Sequence, residues 1–166
     1  LLEDNVGYIS ISAFEEVTGD QFKTAADSLL GKGAKSLIID LRNNGGGVVT
    51  ASTDIADYLR KNTAYAEVLD TLTEDQIHRG NIEKVLVQSL YHDYQVDVPI
   101  ILLVNGESAS ASEVLTGALK DNGWATVVGT KTFGKGIAQG IFDLPDGSAI
   151  GLSTARYYTG GGVSLI

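Results

Sequence analysis

Cysteine is absent from the 166 residues, which excludes disulfides, thiolate metal sites, iron–sulfur clusters and a cysteine nucleophile. Methionine is absent as well, so a chain that opens Leu1-Leu2-Glu3-Asp4 reads as an internal fragment or a processed product, any leader or anchor cut away. Positive charge is scarce: 12 Lys and Arg stand against 21 Asp and Glu, a net charge of −9 with no run of three basic residues. That balance argues against a nucleic-acid binder, which needs a basic stripe to displace counterions. No apolar run approaches the roughly 20 residues that a bilayer-spanning helix requires. Histidine occurs only at His78 and His92, each read as a solvated or locally bonded side chain. There is no HExxH, GxSxG or SxxK, which removes three hydrolase classes. Two prolines accompany twenty glycines, and the glycines cluster at 45–47, 134/136 and 160–162. Such clusters mark backbone that takes φ > 0 or approaches something closely.

What is present suits a globular domain: 43% hydrophobic and 20% charged residues. A chain of this length buries roughly 70% of its unfolded surface in one domain. Val6–Ser12 alternates as a strand, and Asp20–Leu30 has helical spacing closed by Gly31 and Gly33. Ser36–Leu41 reads as a buried strand, and a polar glycine loop then leads into a helix over Thr50–Arg60. Thr73–Tyr91 has apolar residues at roughly helical spacing. Pro99–Val104 reads as a buried strand followed by a helix over Ala111–Asn122. Ala125–Val128, Ile137–Asp143 and Ser148–Leu152 read as strands, the last two joined by the turn Pro145-Asp146-Gly147, with Ala155–Tyr158 a further candidate. The alternation of strands and helices is that of an α/β layered domain.

Gly129–Lys135 satisfies GxxxxGK after an apolar strand, the form of a phosphate-binding loop. Gly136 stands where a Mg²⁺-binding hydroxyl belongs, and the following residues alternate like a strand instead of opening a helix. A nucleotide site is disfavoured on both counts. The turn from Val104 to Glu113 joins a strand to a helix through small residues and presents Ser110 at the helix start. Taken locally, Ser110-x-x-Glu113 is a capping box with Ser110 as the N-cap.

Four segments in order carry a more specific signal. They are Leu37-Ile38-Ile39-Asp40-Leu41-Arg42-Asn43-Asn44-Gly45-Gly46-Gly47; Val104-Asn105 through Ser108-Ala109-Ser110-Ala111-Ser112-Glu113; Val128-Gly129 through Phe133-Gly134-Lys135-Gly136 to Gln139; and Thr154-Ala155-Arg156-Tyr157-Tyr158-Thr159. Together the chain resembles the catalytic core of the C-terminal processing (tail-specific) peptidases, serine peptidase family S41. The resemblance implies an α/β fold of the layered crotonase/Clp-protease type, with mixed sheets and flanking helices. It implies a serine endopeptidase that cleaves polypeptides near their C-terminus through a Ser/Lys dyad and an acyl-enzyme.

By the same resemblance Ser110 is the nucleophile, Lys135 the base and Gln139 the residue that holds the lysine. Asp121 takes a supporting role. The oxyanion donors are the N–H of Ala111 and of either Gly46 or Gly47. A lysine is ordinarily protonated at pH 7 and cannot then take a proton, so burial beside Phe133 and Ile137 is expected to favour its neutral form. Gln139 accepts a hydrogen bond without adding the charge that would hold the proton on. No cofactor and no metal are implied. The expected partners are polypeptides with exposed C-terminal tails, in an extracytoplasmic setting, and a PDZ-like domain is expected elsewhere in the full-length protein. A homo-oligomer stays open.

Gly45 replaces the proline of the usual NNPGG loop, and the usual TPxG becomes Thr159-Gly160-Gly161-Gly162. Residues 63–97 read as an atypical, helical insertion in place of a charged hairpin. Three other functions stay open at the level of sequence: a noncatalytic or latent core used for peptide binding or assembly, a phosphate binder, and an acyl-CoA enzyme of the crotonase type.

Overall fold

The structure, a computed structural model, describes residues 1–60 and 96–166 together with the backbone of 64–70 and 84–88; for 154 and 155 it describes the backbone alone. A short 3-10 turn (Glu3–Asn5) leads into strand β1 (Val6–Ser10), helix α1 (Thr18–Gly31) and strand β2 (Ser36–Asp40). Helix α2 (Val49–Leu59), strands β3 (Ala64–Asp70), β4 (Lys84–Gln88) and β5 (Ile100–Val104), and helix α3 (Ala111–Asp121) follow. Strands β6 (Thr126–Gly129), β7 (Ile137–Asp143) and β8 (Ala149–Thr159) complete the order.

The strands form two sheets of different kinds. One is wholly parallel in the order β1-β2-β5-β6, and the other is antiparallel in the order β4-β3-β8-β7. The parallel sheet requires crossovers, and α1 and α3 supply them between β1 and β2 and between β5 and β6. Its central strands are apolar because helices cover them. Leu37, Ile39 and Leu102 are fully buried, with Ile39 opposite Leu102 in register. Helix α1 meets α2 partly through an edge-to-face contact of Phe22 and Tyr58, ring centroids 6.0 Å apart.

Helix α3 occupies the middle. Every residue from Ala111 to Leu119 is buried, as in a helix enclosed on all sides. It packs against α2 and reaches both β3 and β8 of the antiparallel sheet. Gly117 makes the approach to β8 possible, since a Cβ there would lie 2.8 Å from the Thr159 methyl.

Most sequence expectations agree with this architecture to within two residues at each end. Ser148–Leu152 and Ala155–Tyr158 belong to one strand, β8. The helical reading of Thr73–Tyr91 is wrong over Lys84–Gln88, which pairs antiparallel with β3. Its apolar residues fit a helical period, but a stretch with two valines in five residues is better served by sheet pairing, and the tertiary partner decides. Residues 73–83 and 89–91 of that reading, and both histidines, lie outside the described residues. The loop at Gly129–Lys135 leads into β7 and not into a helix, so no helix N-terminus is available there for a phosphate.

Since α3 carries its apolar load at the junction of both sheets, Leu115→Ala should lower the unfolding free energy by about 2–5 kcal/mol. Urea unfolding followed by circular dichroism measures this, and a loss under about 1 kcal/mol would show that α3 is not the packing centre.

Candidate active site

Two loops meet at the start of α3. The first runs from Asp40 to Val48. Asp40 is 5% exposed and accepts hydrogen bonds from Tyr8 Oη at 2.6 Å, from Arg42 Nε at 2.9 Å and from the Arg42 backbone N–H at 3.0 Å. The Arg42 guanidinium, with help from Tyr8, holds the Asp40 carboxyl well below the ordinary carboxylate range. Asn44 is fully buried: its Nδ2 donates to the Ile11 carbonyl at 2.7 Å and its Oδ1 accepts from the Gly46 N–H at 2.8 Å.

The second loop is the serine turn. Asn105 Nδ2 donates to Asn43 Oδ1 at 2.7 Å, and Asn105 Oδ1 accepts from the Asn43 N–H at 3.0 Å. The Asn44 carbonyl accepts from the Ala109 N–H at 3.0 Å and from Ser112 Oγ at 2.9 Å. Ser108 Oγ donates to the Leu41 carbonyl at 2.7 Å. Of the three serines in the run, Ser108 and Ser112 are therefore fully buried and occupied in tying the loops together. Ser110 is half-buried and lines a cavity.

The backbone at Ser110 is strained, with φ 55° and ψ −117°. Such a conformation in a non-glycine residue costs about 1–3 kcal/mol and persists only when its surroundings hold it. Glu113 provides much of that hold. Its side chain is 2% exposed, and its Oε2 accepts from the Ser110 N–H at 3.0 Å and from the Lys135 N–H at 2.9 Å. Its Oε1 accepts from the Gly134 N–H at 2.7 Å. Sequence showed the bond from Glu113 back to Ser110 as a capping box, but the bridge to the lysine loop has no local signature.

Gly46 has φ +99°, and a Cβ there would lie 2.7 Å from Ser110 Cβ and 3.0 Å from the Ala111 nitrogen. Only glycine lets the two loops come so close. The Gly46 N–H is occupied by Asn44, whereas the N–H groups of Gly47 and Ala111 have no hydrogen-bond partner among the described residues.

The cavity at this junction has a volume of about 520 Å³ and brings together Gly47, Ser110, Lys135, Gln139 and Tyr157. Val49, Val114, Ile137 and Ile141 give it an apolar wall. Phe133, expected beside the lysine, is instead 65% exposed and contributes its backbone N–H to the Ser108 carbonyl at 3.0 Å. Its side chain belongs to the surface because the Gly134 turn is pinned from below by Glu113. Asp121 lies at the other end of α3, about 16 Å along the axis, where its Oδ2 accepts from the Gly161 N–H at 2.9 Å. It supports the chain end and does not line the cavity. Tyr157 was quoted in the sequence motif without a role; it is a buried wall of the site.

Two outcomes follow from these bonds. Glu113→Gln replaces an oxygen acceptor with an NH₂ facing backbone donors. It should cost about 1–3 kcal/mol in urea unfolding, and a loss within about 0.5 kcal/mol would discount the bridge. Asp40 has a depressed folded-state pKa, so its contribution is complete above its ordinary value of 3.8 and is lost as pH falls below it. Arg42→Ala should lower stability at neutral pH and flatten the decline between about pH 4 and pH 2. An unchanged slope in acid titration of the unfolding free energy would contradict that.

Comparison with known proteins agrees with this geometry. The model of the family described as "Peptidase family S41" matches residues 5–166. The carboxyl-terminal-processing protease of Picosynechococcus sp. is 36% identical over 162 residues, covering 94% of this chain and 35% of the relative. Carboxyl-terminal-processing peptidase 3, chloroplastic, of Arabidopsis thaliana is 38% identical over 151 residues, covering 91% of this chain and 28% of the relative. Among solved structures, the photosystem II D1 C-terminal processing protease superposes with a TM-score of 0.83 at 34% identity, covering 96% of this chain and 39% of that one. The chain thus spans about a third of the length of these relatives. A fold, a cavity and a family match over almost the whole chain agree: this chain belongs to peptidase family S41.

Proposed function

We propose that the chain is the catalytic core of a serine endopeptidase in which Ser110 is the nucleophile and Lys135 the base. One observation carries the reading. Of the three serine hydroxyls in the turn, two are occupied with backbone carbonyls, and the third stands on a strained helix start in the same cavity as a lysine. Strain of that kind is retained where it serves chemistry.

Lys135 Nζ takes the Ser110 proton as Oγ attacks the scissile carbonyl, and then returns a proton to the departing amine. Negative charge developing on the carbonyl oxygen meets two N–H groups unpartnered among the described residues, that of Ala111 at the start of α3 and that of Gly47 in the facing glycine loop. Gly47 is preferred to Gly46 because the Gly46 N–H is already bonded to Asn44. Gln139 shares the cavity and steadies the lysine without adding negative charge. Water then releases the acyl group, with Lys135 again as base.

The substrate is a polypeptide, and the names of the relatives favour cleavage near its C-terminus. The apolar wall of the cavity suits small or aliphatic side chains beside the scissile bond. An extracytoplasmic setting and a separate PDZ-like domain that selects the tail complete the reading. Among the described residues no helix is long and apolar enough to cross a membrane.

Hydrolysis of casein by the purified chain tests the dyad. Ser110→Ala should fall to background, and Lys135→Ala should lose roughly 10²–10⁴-fold in rate with its fold intact by circular dichroism. Undiminished cleavage by Lys135→Ala would remove the lysine from the mechanism.

A further inference from the structure

Two polar side chains of the cavity are left unused by this mechanism, and of these Thr53 donates its hydroxyl to the Thr50 carbonyl at 2.8 Å whereas Tyr157 is unpaired. It is 7% exposed, and its Oη is buried without a hydrogen-bond partner. Leaving a buried hydroxyl unsatisfied is destabilising, and a phenylalanine would occupy the same volume without that penalty. The position of the ring is well determined. Its backbone N–H donates to the Gly136 carbonyl at 3.0 Å, one residue beyond the base, and β8 pairs it opposite Val68 of β3. The side chain thus enters the cavity between the lysine loop and the start of α3.

We propose that Tyr157 is a catalytic residue whose hydroxyl donates a hydrogen bond to Ser110 Oγ during turnover, chiefly when Oγ is the leaving group. This deepens the Ser110/Lys135 reading and rests on it. Ser110 Oγ has one proton and two lone pairs. With the proton turned toward Lys135 and one lone pair directed at the substrate carbonyl, the second lone pair needs a donor from the protein side. Tyr157 faces it. Burial, and next to it the Glu113 carboxylate, push the phenol above its ordinary range, opposed by the neighbouring Ser110 hydroxyl. The phenol therefore keeps its proton at any pH at which a peptidase works, and serves as a neutral donor.

The balance of the second step shows where the donor matters. Water attacks the acyl carbonyl and passes a proton to Lys135 Nζ. The bond from the carbonyl carbon to Oγ then breaks, and Oγ recovers its proton from the Lys135 ammonium. Tyr157 loses nothing; its hydrogen bond stabilises the charge that builds on Oγ as that bond breaks. In the first step the same bond orients Oγ but withdraws some electron density from it. Its removal should therefore slow release of the acyl group more than its formation.

Tyr157→Phe tests this with p-nitrophenyl acetate as the probe, in the purified protein. The expected result is an initial burst of undiminished amplitude and a steady-state rate at least tenfold lower. Mass spectrometry of the quenched mixture should show more acylated Ser110 than in the unaltered protein, a measurement that reads only folded, reactive molecules. The thermal midpoint should stay level or rise, since the unsatisfied hydroxyl is gone. Turnover within twofold of the unaltered protein would overturn the proposal, as would a burst and a steady state that fall together with a lowered midpoint, the mark of a packing role. No burst in the unaltered protein, with Ser110→Ala equally active, would instead sink the dyad reading and Tyr157 with it.

Discussion

The site depends on one buried carboxyl group. Glu113 accepts three backbone N–H groups, one from the serine turn and two from the lysine loop, and so ties those segments together through one side chain. The Phe133 N–H adds a direct bond to the Ser108 carbonyl at 3.0 Å, but three donors converge only on Glu113, and few side chains can accept them. A glutamine presents one oxygen and one donor. An aspartate at the third position of the helix is a methylene too short to span both loops. The carboxylate offers about four lone-pair directions on two oxygens, enough for three donors in fixed geometry. Being 2% exposed, it works away from competing water, where such bonds hold best. The strained Ser110 backbone and the close approach of Gly46 are tolerated because this bridge over-determines them.

Hydrogen-bond satisfaction separates scaffold from chemistry here more sharply than residue type does. Asn43, Asn44, Asn105, Ser108 and Ser112 are all polar and all in or beside the two loops that meet at Ser110, and each is matched with a named partner. Buried polar groups are normally paired in this way. Among the described residues of these loops and the cavity, the N–H of Gly47, the N–H of Ala111 and the hydroxyl of Tyr157 are unmatched, and they gather around Ser110. Donors left without acceptors at one place are what a transient negative charge requires.

The legible part of the fold was the part in which local pattern and tertiary role coincide. Ser36–Asp40 and Ile100–Val104 are continuous apolar runs because both faces of the parallel sheet are covered, and they read as such. Ile137–Asp143 alternates because it is an edge strand with one face toward the cavity. Lys84–Gln88 was read as helix because its neighbours repeat at a helical spacing, and its antiparallel partner β3 lies fourteen or more residues away, beyond the reach of a local window. In the site, motif order identified Ser110, Lys135 and Gln139 as candidates, and all three line one cavity. The second role of Glu113 and the place of Tyr157 were illegible for the same reason as β4. Each is defined by a partner more than twenty residues away, Lys135 for one and Ser110 for the other, and periodicity carries no information at that range.

The two sheets divide the site between them, and that division explains its economy. The parallel sheet, with its fully buried strands, ends in the loops that hold Ser110, Gly47 and Ala111. The antiparallel sheet brings Gln139 on β7 and Tyr157 on β8, with Lys135 in the turn just before β7. Ser110 and the two unpartnered N–H groups thus come from one half, and Lys135, Gln139 and Tyr157 from the other. Neither half is a site by itself. Helix α3 belongs to both: its first turn supplies Ser110 as cap and Glu113 as bridge, and its body packs against β3 and β8. The β7–β8 hairpin beyond the cavity is solvent-facing, with Phe142, Leu144 and Ile150 all exposed, so it draws little support from a core of its own. What fixes the Lys135 loop against the serine turn is the inner end of that hairpin, through the bond from Tyr157 N–H to Gly136 and the Glu113 bonds to Gly134 and Lys135. The shape of the cavity therefore follows from the docking of the two sheets through α3, and the hydrogen bonds of a single helix turn hold the lysine loop to the serine turn.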